Sequence, residues 1–212
     1  MKKAIKEKQF QSLLKGLNIV FKVLLLLTSC AVLFFFILII GASFTSEQLV
    51  MDMLEKGKIG ASINFYGLKV MLSDPVINTF NYNKNMAITL FSIALFYTVI
   101  ILSICNLIIR FLKSVINGDV FTLTNSKRIE YVALCIVILS FTIDSIQAYV
   151  IFAINDMFQL NSFIQKTEWI QSVSYQFFGI QWSMLLCGLV IWTIGKMFKY
   201  GSFLQDEYDA TV

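Results

Sequence analysis

One acid lies inside an otherwise apolar stretch. Residues Tyr131 to Ile154 carry Asp144, with Ser140 and Gln147 beside it. At a helical period, Ser140, Asp144 and Gln147 share one narrow face, which Ala133 and Val137 extend. A run of this length reads as a membrane-crossing helix, where a carboxyl facing lipid is costly. Two chemistries suit such a group. It can bind a proton or a cation, because an ionisable side chain within a span is a functional-site candidate by default. Or it can be a buried carboxyl hydrogen-bonded to Ser140, Gln181 or Ser183, holding helices in register. Counted by depth, Gln181 on the fourth apolar run is its expected partner. A single acid with no second carboxylate argues against a proton relay.

Other site chemistry is sparse. The chain has no histidine, which removes the common metal ligand, the common general base and the serine–histidine and cysteine–histidine pairs. Its four cysteines, Cys30, Cys105, Cys135 and Cys187, fall one per apolar run, without a CxxC, and read as packing residues. No GxSxG or glycine-rich phosphate loop occurs. Ser12 and Lys15 have S-x-x-K spacing but no companion motif. We expect no enzyme, no cofactor and no metal site.

These residues must be positioned by an all-α membrane protein. The 212-residue chain is 58% hydrophobic and 14% charged with one proline, against about a quarter charged residues in a soluble domain. The apolar runs Ile19–Ile40, Met86–Ile109, Tyr131–Ile154 and about Ser172–Ile194 predict an antiparallel bundle of four spans in a single domain over 1–212. The first run exceeds the ~7–15 residues of a signal-peptide core, and no cleavage site clearly closes it. Before it, residues 1–18 predict a short basic amphipathic helix at the membrane surface, with Phe10, Leu13, Leu14 and Leu17 on one face.

Between the first two spans, residues 42–85 predict a small, partly β extracytoplasmic segment. Thr45 and Gln48 have capping-box spacing, and Gly57 and Gly60 would stop the helix they open. From Ala61 to Leu72 alternation predicts a bent strand or hairpin, ended by Asp74 and Pro75. Asn85 is the expected cap of the second span. In the link at 110–128, Asn117–Gly118 supplies a positive-φ turn and Thr122 an N-cap. On the fourth span Ser174, Gln181, Gly188 and Gly195 recur every seven residues, a small and polar seam suited to close helix approach. The broken half-helices typical of carriers are absent from this reading.

Placing both termini and the link inside puts twelve basic residues in the cytoplasm. Five stay outside: Lys56, Lys58, Lys69, Lys84 and Lys166. This is the positive-inside pattern of a cell-membrane protein with both ends cytoplasmic. Trp169 and Tyr175 outside, with Tyr131 and Tyr200 inside, suit an aromatic belt. Gly201 is expected to end the last helix. The acidic tail at 199–212 would then fold back on Arg110, Lys113, Lys127 or Arg128, each exposed pair contributing at most ~1 kcal/mol.

Two stretches resemble a known family. Gly118, Asp119, Phe121, Thr122, Asn125 and Arg128 stand in a G-[DE]-x-F-T-x-x-N-x-x-R pattern. Phe198, Gly201, Leu204, Gln205, Asp206, Glu207, Asp209, Thr211 and Val212 stand in F-x-x-G-x-x-L-Q-[DE]-E-x-D-x-T-V. Both are similar to patterns of the YoaS-like bacterial membrane family (domain of unknown function 2975), with Tyr208 and Ala210 as departures. The resemblance implies no transferable activity. It implies a gene context beside a small helix-turn-helix regulator of the Cro/C1 type. The reading is therefore a non-enzymatic regulator or sensor that binds such a soluble partner, with no direct nucleic-acid binding. Its docking candidates are Asp119, Phe121, Thr122, Asn125, Lys127 and Arg128 in the link, and Gln205, Asp206, Glu207 and Asp209 in the tail. The alternative is a small transporter, channel subunit or toxin-immunity protein using Ser140, Asp144, Gln147 and Gln181. A pore would require a homo-oligomer.

Overall fold

The computed structural model describes residues 2–46, 48–50, 52, 62–65, 68–71, 79–164 and 173–211. The expected stop at Gly57 and Gly60, the ending at Asp74–Pro75 and Trp169 lie outside these residues. Helix α1 is Lys2–Phe44. Strands β1 (Ser62–Phe65) and β2 (Leu68–Met71) follow, then α2 (Lys84–Ile116), α3 (Leu123–Met157), the single turn α4 (Leu160–Ile164) and α5 (Trp182–Thr211). The strands pair antiparallel, with Ser62 opposite Met71 and Phe65 opposite Leu68.

The four long helices are each apolar and long enough to cross a membrane. At 1.5 Å per residue, the 33 residues of α2 span about 50 Å, well beyond a ~30 Å hydrocarbon layer. Ile109, Leu112 and Leu139 are buried, yet many large apolar side chains lie outside. Leu26, Leu33, Ile37, Val190 and Met197 are exposed, whereas the fully covered side chains include Asn125, Ser126 and Ser140. Large apolar groups outside and small polar ones inside are what lipid as solvent selects, since it gives no hydrophobic drive between helices.

The residues fall into two compact units. One comprises Met1–Phe34, Leu95–Asp144 and Gly179–Val212, the other Phe35–Ala94 and Ser145–Phe178. In the second unit the approach to α2 is tied to the end of α3. The Asn81 amide donates to the Met157 carbonyl at 2.7 Å, the Thr79 hydroxyl donates to the Phe158 carbonyl, and Phe80 lies 4.9 Å from Phe158. Lys84 donates to the Ser43 carbonyl. Phe152 carries Tyr175 and Phe177 at 5.4 and 6.1 Å. These edge-on ring contacts suit aromatic quadrupoles.

Several boundaries differ from the sequence reading. There is no separate surface helix at 1–18: Lys, Gln, Leu and Ala favour helix, and the lone Gly16 does not break it, so α1 is continuous. The cap of α2 is Asn83, whose side-chain oxygen accepts from the Met86 amide, rather than Asn85. Likewise Ser46, not Thr45, accepts from the Leu49 amide, while the Thr45 hydroxyl donates back to the Gly41 carbonyl of α1.

The largest differences lie in the last span. Its helix begins at Trp182, ten residues after the expected Ser172, and residues 173–181 are not helical. At its other end Gly201 does not stop it. A Cβ there would lie 2.8 Å from the Phe121 ring, so the missing side chain seats an aromatic ring within a continuing helix. Among the described residues, Asp206 and Glu207 are exposed and pair with none of Arg110, Lys113, Lys127 or Arg128. A helix that runs on to Thr211 holds them away from a fold-back.

Candidate functional site

The link between α2 and α3 is built around one amide side chain. Gly118, at φ 97°, turns the chain after α2, a conformation that glycine adopts without a Cβ penalty. Thr122 caps α3, its hydroxyl oxygen accepting from the Asn125 amide at 3.1 Å. Asn125 itself is fully buried. Its side-chain nitrogen reaches the Asp119 carbonyl at 2.7 Å, the Ser114 hydroxyl at 3.0 Å and the Val120 carbonyl at 3.1 Å. Its side-chain oxygen accepts from Arg128 Nη1 at 2.9 Å, and the same nitrogen donates to the Arg110 carbonyl. Thr122, Asn125 and Arg128 therefore close the turn upon itself. Of the link residues singled out, Asp119, Phe121 and Lys127 are the exposed ones.

The link also grips α5. Phe121 lies 5.1 Å from Phe198 and against Gly201, and Phe111 reaches Phe198 from α2 at 5.9 Å. The buried Ser126 hydroxyl donates to the Gly195 carbonyl at 2.8 Å. Beside it, Lys196 pairs with Glu130 at 3.1 Å and lies 4.9 Å from the Trp192 ring. With the lysine side chain 44% exposed, that pair contributes at most about 1 kcal/mol. The link thus packs on α5 as far as Gly201, and the same helix carries the exposed Leu204, Gln205, Asp206, Glu207 and Tyr208 beyond it.

The second site surrounds Asp144. Three positions of the seven-residue seam meet α3. A Cβ on Gly195 would lie 2.9 Å from Glu130, and one on Gly188 would lie 2.8 Å from Val137 and 3.3 Å from the Ala133 carbonyl oxygen. Above them the Gln181 amide donates to the Ser140 carbonyl at 2.9 Å. Ser174 lies in the non-helical segment and leaves the pattern.

Asp144 meets Gly179 rather than the Gln181 side chain. A Cβ on Gly179 would lie 2.7 Å from the carboxylate Oδ2. Gln181 and Gln147 are exposed, and the Ser140 hydroxyl is spent on the Val137 carbonyl. Among the described residues no lysine or arginine pairs with Asp144. The expected face exists on α3, but what approaches it is bare backbone just before a helix start.

Three contacts escape a reading by composition. Gly179 lies in a run apolar enough to pass as helix. The Tyr97 hydroxyl donates to the Thr142 hydroxyl at 2.7 Å, joining α2 to α3. Glu130 and Lys196 sit at the ends of antiparallel neighbours, and that signal could have paired them. The described residues contain no group of histidine, cysteine, aspartate or glutamate able to hold a metal ion. No protein-family model, curated protein or solved structure matches the chain.

Proposed function

We propose that the chain is a non-enzymatic, multi-pass protein of a bacterial cell membrane, with both termini cytoplasmic. It acts as a regulator or sensor, holding a soluble partner on the surface shared by the α2–α3 link and the end of α5. The observation that carries this reading is the packing of Phe121 on Phe198 and Gly201. It ties the link to the helix that carries the exposed Leu204, Asp206, Glu207 and Tyr208. Exposed apolar groups beside two acids suit a small basic protein such as a helix-turn-helix regulator, steered by complementary charge. The distribution of basic residues supports the orientation, and the resemblance to the YoaS-like family supports the bacterial source and the kind of partner. In a pull-down, full-length protein captures the regulator, and protein lacking 203–212 loses at least tenfold of that capture. Equal capture by both removes the tail from the function.

A second reading rests on the start of α5. Irregular backbone at membrane depth is tolerated where it is buried in protein or lines a cavity, and carriers place ion sites at such helix breaks. Gly179, in the non-helical chain just before α5, lies against the Asp144 carboxyl, which suits a proton or monovalent-cation site in a transporter or channel subunit. Cells or vesicles carrying Asp144→Asn should then lose proton- or sodium-coupled flux without loss of protein. Wild-type flux in the variant sinks this reading.

A further inference from the structure

The end of α2 carries a charge arrangement that shares Asp119 and Arg128 with the docking candidates but adds Arg110 and Lys113, which are not among them. Arg110 and Lys113, exposed on one face of α2, line a cleft of about 270 Å³ with Ser114, Asn117, Asp119 and Arg128. Three cations thus face one carboxylate. Among the described residues none of the three has an ion-pair partner. Arg128 is held in place there: its Nη1 is fixed by the Arg110 carbonyl and by Asn125, which is itself buried and fully bonded. A guanidinium fixed through one nitrogen keeps its remaining N–H donors for a ligand, and its planar fork matches phosphate oxygens.

Arg128 also borders a second, apolar cleft of about 120 Å³, lined by Leu107, Ile108, Ile129, Val132 and Ile191. The two clefts share this one side chain. A cationic cup and an apolar groove that share Arg128 near the end of α2 together have the polarity of a phospholipid. Free phosphate would use the cup and leave the groove idle, and an acidic peptide would gain nothing from a groove on the apolar side. We propose that this double cleft binds one anionic phospholipid, with its phosphate among Arg110, Lys113 and Arg128 and an acyl chain along the groove. Basic pockets at the ends of spans bind anionic headgroups in this way.

The inference rests on the membrane placement but not on the docking of a partner. Full-length protein is reconstituted into phosphatidylcholine nanodiscs, and phosphatidylglycerol is titrated in while bound lipid is counted by native mass spectrometry. Failure to enter nanodiscs would overturn the membrane placement itself, separately from the lipid site. Phosphatidylglycerol should be retained in preference to phosphatidylcholine at one molecule per chain. The double variant R110Q/K113Q, whose side chains take no part in the Asn125 network, should lose about thirtyfold in affinity, the combined worth of two interfacial cations. K127Q, exposed on the same turn but outside the cleft, should keep wild-type affinity. Equal retention of both lipids, or an undiminished double variant, overturns the proposal. So does an equal loss in K127Q, which would mean diffuse surface charge. Full displacement of the lipid by millimolar inorganic phosphate would leave an anion cup and overturn the lipid assignment.

Discussion

Replacing Gly188 by leucine should separate α5 from α3 and lower the stability of the folded protein by about 3 kcal/mol, at the upper end of overpacking costs. The reason is the lack of any compliant neighbour. The first atom that a Cβ meets is Val137 Cγ2, and the next two, at 3.3 and 3.4 Å, are α3 backbone atoms. Valine is stiff at χ1, so it cannot swing aside, and the backbone of a neighbouring helix yields only by moving the helix. Lipid offers no compensating gain, since the added leucine carbons are as well solvated outside the interface as in it. Stability read by denaturant titration in micelles, with tryptophan fluorescence as the probe, should show the midpoint falling. An unchanged midpoint would mean that the close α3–α5 approach does not hold the fold.

Asn125→Leu should cost about 2–4 kcal/mol, through a different mechanism. The leucine matches the amide in size, so no large cavity opens. What is lost is a set of hydrogen bonds worth about 1 kcal/mol each. The carbonyls of Asp119 and Val120 lose their donor and Arg128 loses one of its two anchors. Thermal unfolding should shift down, and a cysteine placed at Asn117 should react faster with a water-soluble maleimide as the turn opens. Wild-type labelling and melting would show that the turn is held by its backbone alone.

This second case bears on what a sequence can reveal. Asn125 stands out by its place three residues from both Thr122 and Arg128, but spacing does not distinguish an exposed recognition residue from a buried clasp. The answer lies in the Asp119 and Val120 carbonyls, which are invisible in a string of side chains. Gly188 and Gly195 were legible as a close-packing seam because glycine at heptad spacing has few other uses in a span. Their partners Ala133, Val137 and Glu130 were legible only as the facing helix. The start of α5 was not legible. The approach to α5 is apolar too, and hydropathy does not register that Gly179 must lie against Asp144. Gly201 misled for a related reason: glycine ends helices through its backbone freedom, yet here it serves an aromatic ring. The existence of four long apolar helices depended on no such contact, and composition alone carried it.

The continuity of α5 has a mechanical consequence. Its 30 residues amount to about 45 Å of rod with one end beside Asp144 and the other at the outward acids. The Gln181 amide on Ser140 and the Gly195 carbonyl on Ser126 pin that rod to α3 at two heights. Both attachments resist rotation of α5 against α3. Displacing the chain at Gly179 would therefore load the Gln181–Ser140 attachment first, and the far end of α5 would stay held by Ser126.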